Sequence, residues 1–227
     1  MRRHEIPDVV IRRLPIYART LRALSESQVQ SISSEELGER IGVTAAQIRR
    51  DLSFFGKFGK QGKGYHVATL ESEIARILHL DRRWDVALVG YGHLGRAIAR
   101  YPAFEQHAFQ IAAVFARNPD QIGQEVGGVV VLPPECVASV VNELGIQIGI
   151  VAVPAESAQE VANALIAGGV RALLNYAPQV LKVPDDVWVR EVDPTTALQS
   201  LTYYLDDEPA RPTTIGRQHP PEAADDR

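Results

Sequence analysis

Apolar residues recur at helical spacing from the start of the chain: Val9, Val10, Leu14, Tyr17, Leu21 and Leu24 share one face of a helix over residues 8–24. Pro15 falls inside that stretch and predicts a kink or a helix start there, because proline offers no backbone N–H. Ser33-Ser34-Glu35-Glu36 is a helix-start signal, a hydroxyl cap followed by acids in the first turn, and Gly42 closes this short helix. Thr44, with Gln47 three residues later, fits a capping box for a helix from about Ala45 to Phe55 that buries Ile48, Leu52 and Phe55. Two short helices parted by Gly42-Val43-Thr44 make a helix-turn-helix pattern. From Gly56 to Val67 glycines alternate with lysines before a short strand, which predicts a hairpin wing, and residues 69–80 predict a connecting helix.

Beyond Asp81-Arg82-Arg83 the periodicity switches between strand and helix. Strands are predicted over 85–90, 109–115, 129–131, 146–153, 170–175 and 188–192, with helices over 93–101, 134–144 and 155–168. Such alternation implies a parallel sheet covered on both faces. The fold class is therefore α/β: a winged helix-turn-helix domain over residues 1–80, then a Rossmann-type doubly wound parallel sheet over 81–193. A last helix within 194–206 carries Leu198, Leu201, Tyr204 and Leu205 on one stripe. Little of its own domain is left for it to cover, so a partner subunit is its expected receiver. Residues 207–227 are rich in Pro, Asp, Glu and Arg and predict a disordered tail.

Composition changes this picture at a few points. The 227 residues carry a formal charge of -4, but residues 1–66 hold 12 Lys/Arg against 7 Asp/Glu, and the remainder 12 against 21. The basic share belongs to the helix-turn-helix half, which suits nucleic-acid contact. A single cysteine, Cys136, excludes an internal disulfide and a multi-cysteine metal site, and no metal is expected. No apolar run approaches a membrane span, and Met1-Arg2-Arg3-His4-Glu5 lacks a following signal core, so a cytoplasmic protein is expected.

Outward positions on the second helix of the pair are Ala46, Gln47, Arg49, Arg50 and Phe54. Arg forms bidentate bonds to guanine and Gln to adenine in a major groove. Lys57, Lys60 and Lys63 on the wing suit phosphates or a minor groove. With Arg13, Arg19 and the cap Thr44, these residues form the candidate DNA-binding set.

Gly90-Tyr91-Gly92-His93-Leu94-Gly95 stands between a predicted strand and a predicted helix, the order a dinucleotide-binding turn needs. Gly90 serves the turn, Gly92 the approach of a pyrophosphate, and Gly95 the packing of helix on strand. The next strand should end in an acid for the ribose 2′-hydroxyl, yet it ends in Ala116-Arg117-Asn118. Arg117 can neutralise a 2′-phosphate, which points to NADP(H). Equally, it can stack on adenine while Asn118 and backbone hold an unphosphorylated ribose. Val153-Pro154 and Asn175-Tyr176 lie at strand ends where a nicotinamide would sit, with Asn175 able to bond its amide. No His or Lys stands beside them to pass a proton, so no catalytic residue is assigned.

Taken together these motifs resemble the Rex family of redox-sensing transcriptional repressors over residues 6–205. The most specific pieces are Arg13-Leu14-Pro15-Ile16-Tyr17, Ser33 to Leu37, the run from Val43 to Tyr65, Gly90 to Gly95, and Asn175-Tyr176-Ala177-Pro178. The resemblance implies a homodimer on a palindromic operator, with C-terminal helices exchanged between subunits. It implies NAD(H) as ligand, NADH closing the dimer and releasing DNA while NAD⁺ permits binding. Arg19, Tyr101 and Asp193 match positions that rearrange as a polar switch cluster in family members. Three positions depart from the pattern: Ala116 where an acid is usual, His93 where Arg is frequent, and Pro194 where a Phe often follows the aspartate. The alternatives are an NADP(H)-responsive or redox-insensitive paralogue, a DNA-binding protein with a structural nucleotide, or a small NAD(P)-dependent oxidoreductase.

Overall fold

A computed structural model describes residues 6–59 and 64–205. The expected tail over 207–227, together with Lys60 and Lys63, lies outside the described residues.

The first helix, α1, runs from Asp8 to Glu26 and buries Val10, Leu14, Tyr17, Leu21 and Leu24. Pro15 stands inside it, not at its start, and is exposed. Strand β1 (Ser31–Ile32) leads into α2 (Ser34–Ile41), whose capping box is complete: the Glu36 amide donates to Ser33 Oγ and the Ser33 amide to Glu36 Oε2. The following helix, α3 (Ala45–Ser53), has only the forward half of a box, the Gln47 amide donating to Thr44 Oγ1. Gln47 turns its side-chain amide to Asp51 instead, at 2.6 Å.

Strand β2 (Tyr65–His66) pairs antiparallel with β1, so the strand after the Gly/Lys run closes on a strand before the helix pair. The short strand expected after the Gly/Lys run is thus β2, and the part of the expected wing over 60–63 lies outside the described residues. Helix α4 (Val67–Ile77) begins earlier than its apolar stripe suggested because the His66 ring caps it, and it lies along α1. Leu14, Tyr17, Leu21, Leu37, Ile48 and Ile74 form the centre of this domain's core. Burying side chains of this size is worth roughly 1.5–3 kcal/mol each before entropy is counted.

The second domain holds β3 (Trp84–Val89), α5 (His93–Ala99), α6 (Ala103–Gln106) and β4 (Phe109–Phe115). It continues with β5 (Glu125–Val126), β6 (Val129–Leu132), α7 (Val137–Glu143), β7 (Ile148–Val151) and α8 (Ala155–Ala167). Strands β8 (Ala172–Asn175) and β9 (Trp188–Glu191) and helix α9 (Pro194–Thr202) complete it. The seven strands form one sheet in the order β5-β6-β4-β3-β7-β8-β9. All neighbours are parallel except β5, which doubles back on β6 through Gly127-Gly128, both at positive φ. The order reverses at β3, whose neighbours are β4 and β7, and a crevice opens beyond the carboxyl ends of such strands.

Among the described residues nothing buries any residue of α9: Leu198 and Leu201 are exposed, as are Tyr203 and Tyr204 just beyond its end. The two domains touch where Asp8 of α1 pairs with Arg190 of β9.

Candidate functional site

Two surfaces carry chemistry. On the first, α3 rests on the domain core through Ile48 and Leu52 and on a buried carboxylate, Asp51. Asp51 is fully enclosed and accepts four hydrogen bonds: two from Arg13, at 2.6 and 2.8 Å, one from Tyr17 Oη at 2.6 Å, and one from Gln47. Burial alone would push its carboxyl up. The bonds from Arg13, Tyr17 and Gln47 outweigh that, and it lies below the usual carboxylate range. The Tyr17 hydroxyl is pushed the other way, by burial first and then by Asp51.

The cluster redistributes the candidate DNA set. Arg13 is the floor of α3, its guanidinium forked onto Asp51, and Gln47 is partly committed to the same acid. Arg49 donates to Ser34 Oγ and Glu35 on α2. Arg50 is exposed and pairs with no acid among the described residues; Ala46, Arg19 and Lys57 are exposed as well. Tyr17 and Asp51 were missed from the sequence. Their signal was present, an Arg13…Tyr17 pair one helical turn apart and an acid within an apolar face.

The second surface is a cleft of about 550 Å³ over β3, β4 and β7, lined by Gly90 to Gly92, Ala116 to Asn118 and Val153-Pro154. Its floor is made by contacts that exclude side chains. A Cβ on Gly90, at φ 103°, would stand 2.2 Å from the Ala152 carbonyl oxygen, and one on Gly95 would stand 1.8 Å from the Gly90 carbonyl oxygen. A Cβ on Gly92 would meet nothing within 4 Å, so backbone there faces open space. No side chain caps α5, which leaves its first amides uncapped toward the cleft end of β3. Tyr91 is buried, with its carbonyl held by Gln121 Nε2 at 3.0 Å, while His93 and Leu94 are exposed. Gln121 is a further residue missed from sequence. It ties the glycine loop to the segment after β4 across 30 positions, a contact no local pattern encodes.

Residues 5–53 match the family described as "Putative DNA-binding protein N-terminus", and residues 81–179 match the "CoA binding domain" family. The chain is 55% identical over 222 residues to the redox-sensing transcriptional repressor Rex of Roseiflexus sp. (strain RS-1), covering 98% of this chain and 99% of that one. It belongs to the Rex family of redox-sensing transcriptional repressors. Rex of Chloroflexus aggregans is 58% identical over 199 residues, covering 88% of this chain and 94% of that one. Among solved structures, RSP in complex with beta-NAD+ and operator DNA superposes with a TM-score of 0.84 at 41% identity. That match covers 88% of this chain and 93% of RSP. RSP in complex with beta-NADH gives 0.81 at 39% identity, over 89% and 95%. The protein is thus a redox-sensing transcriptional repressor.

The structure of this Rex chain also places Asn175 and the three residues of the expected switch cluster. Asn175 is 1% exposed, its Nδ2 donating to the Gln179 carbonyl and its Oδ1 accepting from the Ala177 amide. It shapes the turn after β8 and is not a free carboxamide partner; Tyr176 beside it is half-buried, and burial pushes its hydroxyl up. Nor does a single chain assemble the switch cluster. Asp193 caps α9 by accepting from the Thr195 amide and the Thr196 hydroxyl, which hold its carboxyl below the usual range. Tyr101 stacks edge-on against Phe104, and Arg19 is exposed on α1. No described hydrogen bond or ion pair joins the three. No helix of the described residues is long and apolar enough to cross a membrane.

Proposed function

We propose that this Rex protein binds a palindromic operator as a homodimer and is released when NADH fills the cleft, NAD⁺ permitting DNA binding. The reading rests on one pairing within a single chain. A recognition helix with a free Arg50, braced by a buried carboxylate, shares the chain with a glycine-floored dinucleotide cleft. The likeness to RSP, solved with beta-NAD+ and operator DNA and with beta-NADH, supports it from outside.

In this scheme α3 enters the major groove with Arg50 and Ala46 at the base edges, and Gln47 and Arg49 beside them. Thr44, Arg19 and Lys57, with Lys60 and Lys63, meet phosphates. Arg13 acts from beneath, by holding Asp51 and thereby α3. In the cleft the backbone at Gly90 and Gly92, with His93 and Leu94 at the start of α5, faces the pyrophosphate. Ala116 to Asn118 face the adenine-side ribose, and Val153, Pro154 and Tyr176 the nicotinamide side. Residues 1–80 then form the reading domain, 81–193 the sensing domain, and 194–206 the segment whose Leu198, Leu201 and Tyr204 cover a second copy. Arg19, Tyr101 and Asp193 meet only between subunits, as a switch that closure rearranges.

No catalytic step belongs to this reading. Among the described residues no His or Lys lines the cleft beside Val153 and Pro154, where the nicotinamide is proposed to lie, and a cytoplasmic setting is part of the same proposal. Operator binding by the full chain, followed by fluorescence anisotropy as each nucleotide is added, tests the scheme. NADH should release the duplex and NAD⁺ should not. Binding indifferent to every nucleotide, or substrate-dependent NADH oxidation, would sink it.

A further inference from the structure

At the end of β4 the cleft offers hydrogen-bond donors where a ribose diol needs an acceptor. Ala116 is buried and has no polar side-chain atom. Asn118 directs its Oδ1 to the Asp120 amide at 3.0 Å, so the one side-chain oxygen at this strand end is already engaged. Gln121 gives its amide nitrogen to the Tyr91 carbonyl. Against this, Arg117 is exposed at the cleft wall, and its guanidinium makes no ion pair or hydrogen bond among the described residues. The backbone amides of Arg117 and Asn118 likewise donate to nothing described, whereas Ala116 and Asp120 on either side have acceptors. Two amides without a described acceptor beside a guanidinium without a described partner are donors of the kind that suits a phosphate dianion. The carboxylates of the cleft lining are Glu135, on the turn after β6, and Glu160 on α8; neither pairs with Arg117.

We propose that Arg117 and the adjoining amides are a subsite for a ribose 2′-phosphate, so that this chain takes up NADPH at least as tightly as NADH. The inference rests on the reading of the cleft as a dinucleotide site and refines which dinucleotide it answers to. Arg117 is then a specificity-determining residue, and the phosphate's two charges take the place of the missing acid's contacts to the diol.

The experiment is a set of calorimetric titrations of the full chain with NADH and NADPH, repeated on Arg117→Ala and Glu135→Gln. Wild type should bind NADPH at least as tightly as NADH. Arg117→Ala should weaken NADPH roughly tenfold more than it weakens NADH, the worth of a charge-assisted bond. The NADPH affinity should also fall more steeply with salt. Wild-type NADPH binding tenfold weaker than NADH, or equal losses of both nucleotides in Arg117→Ala, would overturn the subsite while leaving the dinucleotide cleft standing. A Glu135→Gln chain that loses NADH alone, against weak NADPH in wild type, would place a diol acceptor there and overturn it too. Binding of neither nucleotide to wild type would overturn the cleft reading itself, and the subsite with it.

Discussion

In the N-terminal domain the working helix α3 is positioned by side chains: Arg13, Tyr17 and Gln47 converge on the enclosed carboxylate of Asp51. In the dinucleotide domain the cleft is positioned by backbone, with Gly95 pressed on the Gly90 carbonyl and Gly90 on Ala152. The difference follows from what each surface must meet. Base edges are read by long side chains on a rigid rod, so the rod needs bracing that does not use up its outer face. A pyrophosphate is met by main-chain amides, so the chain must come close and carry nothing there. The first design fails when a charge is removed. The second fails when a carbon is added.

The largest effect expected from breaking this contrast is Asp51→Ala. It leaves the Arg13 guanidinium and the Tyr17 hydroxyl without their acceptor, and should cost about 3–5 kcal/mol in urea unfolding of the N-terminal domain. Gly95→Ala comes next. Its Cβ must push a carbonyl oxygen out from 1.8 Å, for roughly 1–3 kcal/mol and loss of nucleotide binding; Gly92→Ala, with open space around it, should keep the melting temperature. Arg50→Ala should weaken operator binding by about 1–3 kcal/mol in anisotropy titrations, with nucleotide affinity unchanged.

Acid sharpens the same contrast. Asp51 has a folded pKa depressed below its ordinary 3.8. The stability it supplies is therefore complete above about pH 4 and is lost as pH falls through the folded value. Asp51→Asn should remove that part of the acid-unfolding profile, which circular dichroism across pH 2–6 would detect. Smallest of all, Arg190→Ala breaks an exposed pair with Asp8 and should change stability by less than about 1 kcal/mol. A larger loss would mean that the domain contact is stiffer than a surface ion pair.

Most of the fold was legible because its signals are local. The cap at Ser33, the Thr44 start of α3 and the strand–glycine–helix order from Val86 to Ala99 each declare themselves within a short local stretch. Strand β5 went unread, and with it the hairpin it forms with the expected strand over 129–131, although Gly127-Gly128 is a turn signal, because two residues are too few to show alternation. The partner of β2 went unread for a different reason. The β1–β2 pairing spans more than thirty residues, and nothing in the Gly/Lys run marks its distant strand.

The site divides the same way. Exposed residues such as Arg50, Gly92 and Arg117 could be named from spacing, since exposure on a known element is a periodic property. Which polar groups were already spent could not. Asn175, expected at the nicotinamide, bonds within its own turn, and Arg13, expected at DNA, forks onto Asp51 beneath α3.

The sequence by itself determined the order of elements, the division into a reading and a sensing half, and the family, because these rest on hydrophobic period, caps and glycine spacing. Only the tertiary structure decided which donors at the end of β4 remain free and which acid lies beneath α3. It also decided that nothing among the described residues covers α9. Hydrogen-bond partnership joins residues far apart in the chain, and a donor's freedom is settled only once every competing acceptor is in place.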